Sequence, residues 1–197
     1  MSILSGRKIK IALFISGQGS NAENIYQYFL NHPYIKVDLL VSSNPDSNFY
    51  QYCIQHNLLD TYLIKKSKEL LFPNFEDLLI ERGIEWIVLA GFLKKIPESL
   101  IKRFANKIIN IHPSLLPKYG GKGMYGDYVH KAVLENKDLE SGITIHLVNE
   151  EYDKGKILTQ EKINIEGIKK LEELRNKIHE LEHKSYPKVI EQTILKT

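Results

Sequence analysis

Short apolar runs alternating with longer amphipathic stretches constrain this chain more than any other feature. Lys8–Ser16 (KIKIALFIS) is rich in isoleucine and stops at Gly17, and from Ser20 a helical period puts Ile25, Tyr28 and Phe29 on one face. Ile35–Ser42, Thr61–Ile64, Trp86–Ala90 and Lys107–Ile111 repeat the strand pattern, with helical stretches such as Asn74–Arg82 and Pro97–Phe104 between them. Each apolar strand followed by a helix predicts an α/β fold, a Rossmann-like and mostly parallel sheet with helices on both faces. After Lys137 the pattern changes: Gly142–Val148 and Lys156–Ile165 read as antiparallel strands joined by the charged loop Asn149–Gly155, and an amphipathic terminal helix is expected from about Lys169 to Thr197. No repeat or Pro/Gly/Ser linker divides the sequence, so a single domain over 1–197 with one core is expected.

Composition removes several classes of function. Lys and Arg exceed Asp and Glu by only 27 to 24, and the lysines are scattered, so no nucleic-acid partner is expected. The segment Met1–Lys10 lacks the apolar stretch of a signal peptide and no run reaches membrane-spanning length, which predicts a cytoplasmic protein without membrane contact. Cys53 stands alone, so an internal disulfide and a multi-cysteine metal site are excluded. The composition leaves the oligomeric state open.

Between the first strand and the first helix lies Ser16-Gly17-Gln18-Gly19-Ser20-Asn21-Ala22. Backbone N–H groups and the helix dipole at such a turn favour an anion, a phosphate above all. Gly17, Gly19 and Ala22 also satisfy the dinucleotide fingerprint. A dinucleotide site wants an acid at the end of the second strand, however, and that end is Val41-Ser42-Ser43-Asn44, with Asp38 near the strand's beginning. The lesser alternative is that the glycines merely allow a tight turn. Ser20 and Asn21 at the helix start favour a monophosphate.

Asn110-Ile111-His112-Pro113-Ser114-Leu115-Leu116-Pro117 directly follows a buried strand, where open α/β sheets place their ligands. One residue between Asn110 and His112 puts both side chains on one face of an extended segment. An amide can donate to an oxyanion and an imidazole can move protons near neutral pH. A lone histidine beside a strand is more often structural; the company it keeps here decides otherwise.

The octapeptide from Asn110 to Pro117 resembles the signature of the folate-dependent formyltransferases. Leu89-Ala90-Gly91-Phe92-Leu93 is similar to that family's folate-pocket segment, and Ser16–Asn21 to the phosphate loop of its glycinamide ribonucleotide branch. The resemblance runs from about Lys8 to Ile190. It implies transfer of a formyl group from 10-formyltetrahydrofolate to the amine of glycinamide ribonucleotide, with Asn110, His112 and Asp153 as the catalytic groups and no metal. It further implies that Gly19, Ser20, Asn21, Glu182 and His179 bind the ribonucleotide. The folate would be held by Leu93, Lys94, Lys95 and Ile96, by Asn110, and by the loop residues Asn149, Glu150, Glu151, Tyr152 and Asp153. Lys154 replaces a glycine of many relatives, and the glycine-rich segment Tyr119–Gly126 differs from better-known members; it is expected to be mobile and close to the substrate.

Other acceptors are possible on the same fold: water, as in the formyltetrahydrofolate hydrolases, a nucleotide-linked amino sugar, or methionyl-tRNA. The hydrolases usually carry an added N-terminal domain and the tRNA enzymes an added C-terminal one, for which 197 residues leave no room. A different class is suggested by His179-Glu180-Leu181-Glu182-His183, a literal match to the zinc-protease motif. Catalytic zinc needs a third protein ligand, and no H-x-x-G-x-x-H continuation follows.

Overall fold

Residues 7–65 and 73–196 are described by the computed structural model; Met1 to Gly6 of the expected leaderless N-terminus and Thr197 of the terminal helix lie outside them. The first strand, β1 (Ile9–Ile15), has Ile11 to Ile15 fully buried, as a strand covered on both faces must be. It is followed by α1 (Ser20–Phe29), β2 (Ile35–Ser42), α2 (Asn48–His56), β3 (Asp60–Leu63), α3 (Pro73–Glu81), β4 (Ile84–Leu89), α4 (Glu98–Arg103), β5 (Ile108–His112), α5 (Asp127–Glu135), β6 (Glu140–Leu147), β7 (Ile157–Asn164) and α6 (Leu171–Leu195). The strand order is β3-β2-β1-β4-β5-β6-β7. The sheet is thus mostly parallel, with antiparallel strands at its C-terminal end, as the sequence predicts.

The chain divides into two compact units, Met1–Lys107 and Ile108–Thr197. In the first, β1 pairs in parallel with β2 and β4, and β2 with β3. Helix α1 buries Ala22, Ile25 and Phe29; Tyr28, expected on the same face as Ile25 and Phe29, is instead exposed, its ring meeting that of Phe29 edge to face at 5.0 Å. Phe14 of β1 meets Phe75 and Phe92 edge to face, with ring centroids 6.0 and 5.3 Å away. The beginning of the strands carries an ionic knot: Asp38, only 7% exposed, lies 3.0 Å from Lys36 Nζ, 3.4 Å from Lys10 Nζ and 3.5 Å from Arg82 Nη1. Burial pushes its carboxyl up, but the flanking lysines outweigh that and hold it below the usual range.

In the second unit β5 pairs antiparallel with β6, and β6 with β7. Gly142 and Gly155 occupy places where a Cβ would run into backbone, that of Glu161 and of Leu147. Helix α6 is anchored by Tyr186, fully buried, whose hydroxyl donates to the Ile109 carbonyl at 3.1 Å.

Candidate active site

The antiparallel register of the second unit places Asn110 opposite His146 and His112 opposite Thr144. Asn110 and His112 project from the same face of β5, and across from them His146 is 2% exposed. The Asn110 amide nitrogen is 3.1 Å from His146 Nε2, while His146 Nδ1 is 2.9 Å from the Leu147 carbonyl. A carbonyl only accepts, so in the neutral ring Nδ1 carries the hydrogen and Nε2 accepts from Asn110. One of the two amide N–H bonds of Asn110 is used in this way, and the other has no partner among the described residues.

His112, 4% exposed, is held from both sides. Its Nε2 lies 2.7 Å from the Tyr119 carbonyl and its Nδ1 3.6 Å from Asp153 Oδ2. Nε2 therefore carries a hydrogen, and Nδ1 is the atom that titrates, facing a carboxylate. Burial lowers the pKa of this imidazole; Asp153 and the Tyr119 carbonyl oppose that without overcoming it, and His146 adds to the lowering. Asp153 also faces His146, Oδ1 to Nε2 at 3.7 Å, and its Oδ2 accepts from the Gly121 N–H at 2.8 Å. Burial raises this carboxyl, but the imidazoles of His146 and His112, when they carry charge, and the Gly121 N–H prevail and hold it below its usual range.

Two non-glycine residues, Tyr119 (φ 56°) and Asp153 (φ 56°), adopt the left-handed conformation here. Lys154 does not, so glycine is not required at that position; its ammonium pairs with Glu151 at 2.6 Å and ties the loop to itself. Gly120 is needed for closeness, since a Cβ there would lie 3.3 Å from that of Asp153 and 2.5 Å from Leu116 Cδ2. Beneath the imidazole a polar clamp fixes the turn after β5. Thr144 Oγ1 donates to the Ser114 carbonyl (2.7 Å) and accepts from Leu116 N–H (3.0 Å) and from Gln160 Nε2 (2.9 Å), which also donates to the Leu116 carbonyl (2.7 Å).

In the first unit, Gly19 (φ 89°) precedes α1, whose N-terminus carries no side-chain cap. A Cβ on Gly19 would lie 2.7 Å from that of Phe49. Gln18 staples the loop to the start of α2, its carbonyl accepting from Phe49 N–H (3.1 Å) and Ser47 Oγ (3.1 Å), its side-chain oxygen from Asn48 N–H (3.1 Å). Ser16 Oγ accepts from Leu93 N–H at 2.9 Å and lies 2.7 Å from Ser43 Oγ, so the ends of β1 and β2 and the segment after β4 are joined at the loop. Of the expected folate segment, Leu93 is 50% exposed, Lys94 and Lys95 are exposed, and Ile96 is buried. Asn149, Glu150, Glu151 and Tyr152 are exposed, with Asn149 Oδ1 accepting from Glu151 N–H at 3.1 Å.

On α6, Glu182 and His179 are partly buried, and the rings of His179 and His183 meet at a tilt of 51° with centroids 4.0 Å apart. Glu180 is exposed, and no group of three His, Cys, Asp or Glu able to hold a metal ion occurs among the described residues. The third ligand that the zinc-protease reading needs does not appear there. Asp38, the acid a dinucleotide reading would recruit, is engaged by three cations at the start of β2.

His146, Thr144 and Gln160 are contributors that the motifs do not name, and Tyr119, named only as the start of the glycine-rich segment, contributes a carbonyl. Thr144 and His146, polar residues two apart on the otherwise apolar strand ITIHL, are the one sequence signal that marks them.

The sequence matches the family model described as formyl transferase over residues 9–190. It is 40% identical over 190 residues to phosphoribosylglycinamide formyltransferase, chloroplastic, of Arabidopsis thaliana, covering 93% of this chain and 65% of that protein. The chain thus spans somewhat less than two thirds of that relative's length. With phosphoribosylglycinamide formyltransferase of Bacillus subtilis (strain 168) it shares 35% identity over 190 residues, 94% of each chain. The fold is similar to the crystal structure of phosphoribosylglycinamide formyltransferase from Anaplasma phagocytophilum, with a TM-score of 0.82 at 28% identity over 93% of this chain and 86% of that one. A match of this extent, on a sheet that presents an amide, an imidazole and a carboxylate in one cluster, shows that the chain belongs to the formyl transferase family.

Proposed function

We propose that the protein is a phosphoribosylglycinamide formyltransferase, moving the formyl group of 10-formyltetrahydrofolate to the amine of glycinamide ribonucleotide in purine synthesis. The observation that carries this reading is the cluster Asn110, His112 and Asp153, with an amide N–H left for a ligand beside an imidazole that titrates against a buried carboxylate. The relatives' names supply the acceptor.

In this reaction the acceptor nitrogen attacks the formyl carbon, a new C–N bond forms, and the bond from that carbon to the folate nitrogen breaks. The carbonyl oxygen becomes negative on the way, and one proton moves from the acceptor amine to the leaving nitrogen. The second N–H of Asn110 donates to that oxygen. His112, once protonated at Nδ1, places a positive charge nearby, and Asp153 favours that charge and orders the water that relays the proton. Gly19, Ser20 and Asn21 take the ribonucleotide phosphate at the start of α1, and Glu182 and His179 its glycinamide end. Leu93–Ile96 and the loop Asn149–Asp153 hold the pterin by apolar contact and backbone hydrogen bonds. These steps use no metal. The match across 9–190 supports reading the whole chain as one formyltransferase domain, and the unremarkable charge balance supports small-molecule partners without nucleic acid. A cytoplasmic location belongs to the same reading and rests on the sequence alone.

Release of tetrahydrofolate, followed with glycinamide ribonucleotide, with a nucleotide-linked amino sugar and with water alone, tests the proposal. Release that depends on glycinamide ribonucleotide is the expected result. Equal release in water alone would make the protein a hydrolase, and release only with the amino sugar would move the acceptor.

A further inference from the structure

Helix α5 closes on a left-handed residue, Lys137 (φ 53°), whose N–H donates to the Leu134 carbonyl at 3.1 Å while the Asp138 N–H donates to the Val133 carbonyl at 3.3 Å. This pair of bonds is a Schellman closure, and it fixes the direction in which Asp138 leaves the helix. The Asp138 side chain is only 16% exposed and gathers donors from two segments. Its Oδ1 accepts from Asn136 Nδ2 at 2.7 Å and its Oδ2 from the Tyr119 hydroxyl at 2.9 Å, with Lys118 Nζ 3.1 Å from each oxygen. Burial raises this carboxyl, but Lys118, Tyr119 and Asn136 outweigh that and hold it below its usual range. The donors differ in weight. Lys118 is 62% exposed, and an ion pair so open to water contributes little. The Tyr119 hydroxyl is half-buried and meets an ionised acceptor, the stronger kind of hydrogen bond. Tyr119 is also the residue whose carbonyl takes the Nε2 hydrogen of His112, and it does so from a left-handed backbone (φ 56°) that its own side chain disfavours. Such a conformation persists only where its surroundings hold it. Ser114 Oγ, donating to the Lys118 carbonyl at 2.6 Å, holds the peptide before Tyr119, and Asp138 holds the end of its side chain.

We propose that Asp138 is a positioning residue for formyl transfer: by gripping the Tyr119 hydroxyl it keeps the Tyr119 carbonyl on the Nε2 hydrogen of His112. The inference rests on the reading of His112 as the group that carries charge during the transfer. The Tyr119 carbonyl raises the pKa of His112 against the effect of burial, so a carbonyl that drifts leaves fewer imidazoles charged at Nδ1 at a given pH. The other titratable groups around the ring are Asp153, His146 on β6 and His130 on α5, and they keep their identity in every variant used below.

The test follows the His112 ring resonance by NMR against pH in the full chain, assigned by its loss in His112→Ala, beside steady-state kinetics. The titration needs no substrate, so it stands whether or not glycinamide ribonucleotide proves to be the acceptor. Asp138→Ala and Tyr119→Phe should each move the His112 midpoint to lower pH. Each should also lower kcat by about 3- to 10-fold with KM nearly unchanged, the loss kept modest because Ser114 still holds the neighbouring peptide. Combined, they should lose no more than either alone, since both cut the same link. Lys118→Met, which removes the exposed ion pair and leaves the hydroxyl bond, should titrate and turn over like the wild type. An unmoved midpoint in folded Tyr119→Phe would overturn the proposal, and so would a lowered kcat without that movement, the mark of a merely structural residue. An equal shift in Lys118→Met would overturn it as well, because the ion pair would then be the link. If Asp138→Ala does not fold, Tyr119→Phe carries the test alone.

Discussion

The amide nitrogen of Asn110 on β5 stands 3.1 Å from Nε2 of His146 on β6, two residues that the antiparallel register sets directly opposite each other. This contact decides which end of the amide faces His146. With Nδ1 of His146 donating to the Leu147 carbonyl, Nε2 demands a donor and the Asn110 nitrogen turns towards it.

His146→Ala should therefore slow turnover by about 10- to 100-fold while leaving KM nearly unchanged, because the amide loses its fixed orientation while the binding contacts remain. Asn110→Ala removes the donor itself and should cost about 100- to 1000-fold in kcat. Steady-state kinetics with both variants, shown to be folded, check this. A raised KM at normal kcat in either would make the residue a binding contact.

Asp153→Asn removes the charge that opposes the effect of burial on His112. The pKa of the imidazole, already lowered, should fall further, and the population charged at Nδ1 should shrink at any given pH. The descending limb of kcat on the alkaline side should move to lower pH, with a reduced plateau. An unmoved limb in a folded variant would mean that His112 is not the group being read. Because the two residues act together, the double variant with His112→Ala should lose much less than the product of the single losses.

At the glycine loop, Asn21→Leu should weaken glycinamide ribonucleotide binding more than folate binding. Gly19→Ala should weaken it at least as much, since its φ of 89° and the 2.7 Å approach to Phe49 Cβ force the loop to shift. Direct binding measurements separate the two ligands. Equal losses for folate would place the phosphate elsewhere.

The knot around Asp38 bears on stability instead of turnover. Its folded pKa lies below the unfolded value near 3.8, so its contribution is present above that value and is lost as pH falls through the lower, folded one. Asp38→Asn should destabilise the protein by about 1–3 kcal/mol near neutrality, partly exposed cations keeping the figure modest. The difference in urea midpoint between wild type and variant should narrow only below about pH 4. A gap that stays constant into strong acid would count against the ion pairs.

Much of this was legible in the sequence where local pattern carries the information. The parallel strands announced themselves as apolar runs, and Asn110 and His112 as polar residues two apart at a strand end. His146 was hidden because its importance comes from register: it sits 36 residues from Asn110, on a strand that reads as ordinary core. Tyr119 was hidden for another reason, since it acts on His112 through a carbonyl that every residue possesses. Helix α5 was obscured by the glycines before it, although Val129 and Val133 mark its buried face. The departure at Lys154 proved structurally neutral because the left-handed residue of that loop is Asp153.

Tyr119 and Asp153 both hold a left-handed backbone that a side chain makes unfavourable by roughly 1–2 kcal/mol, and both hold His112 in place. Glycine at 119 would ease the first but forfeit the hydrogen bond of the Tyr119 hydroxyl to Asp138, and asparagine at 153 would ease the second but forfeit a carboxylate whose lowered pKa adds stability near neutrality. At both positions the residue that strains the backbone carries the side chain or charge that offsets the strain, so a change made to relax the main chain there gains neither durability nor speed.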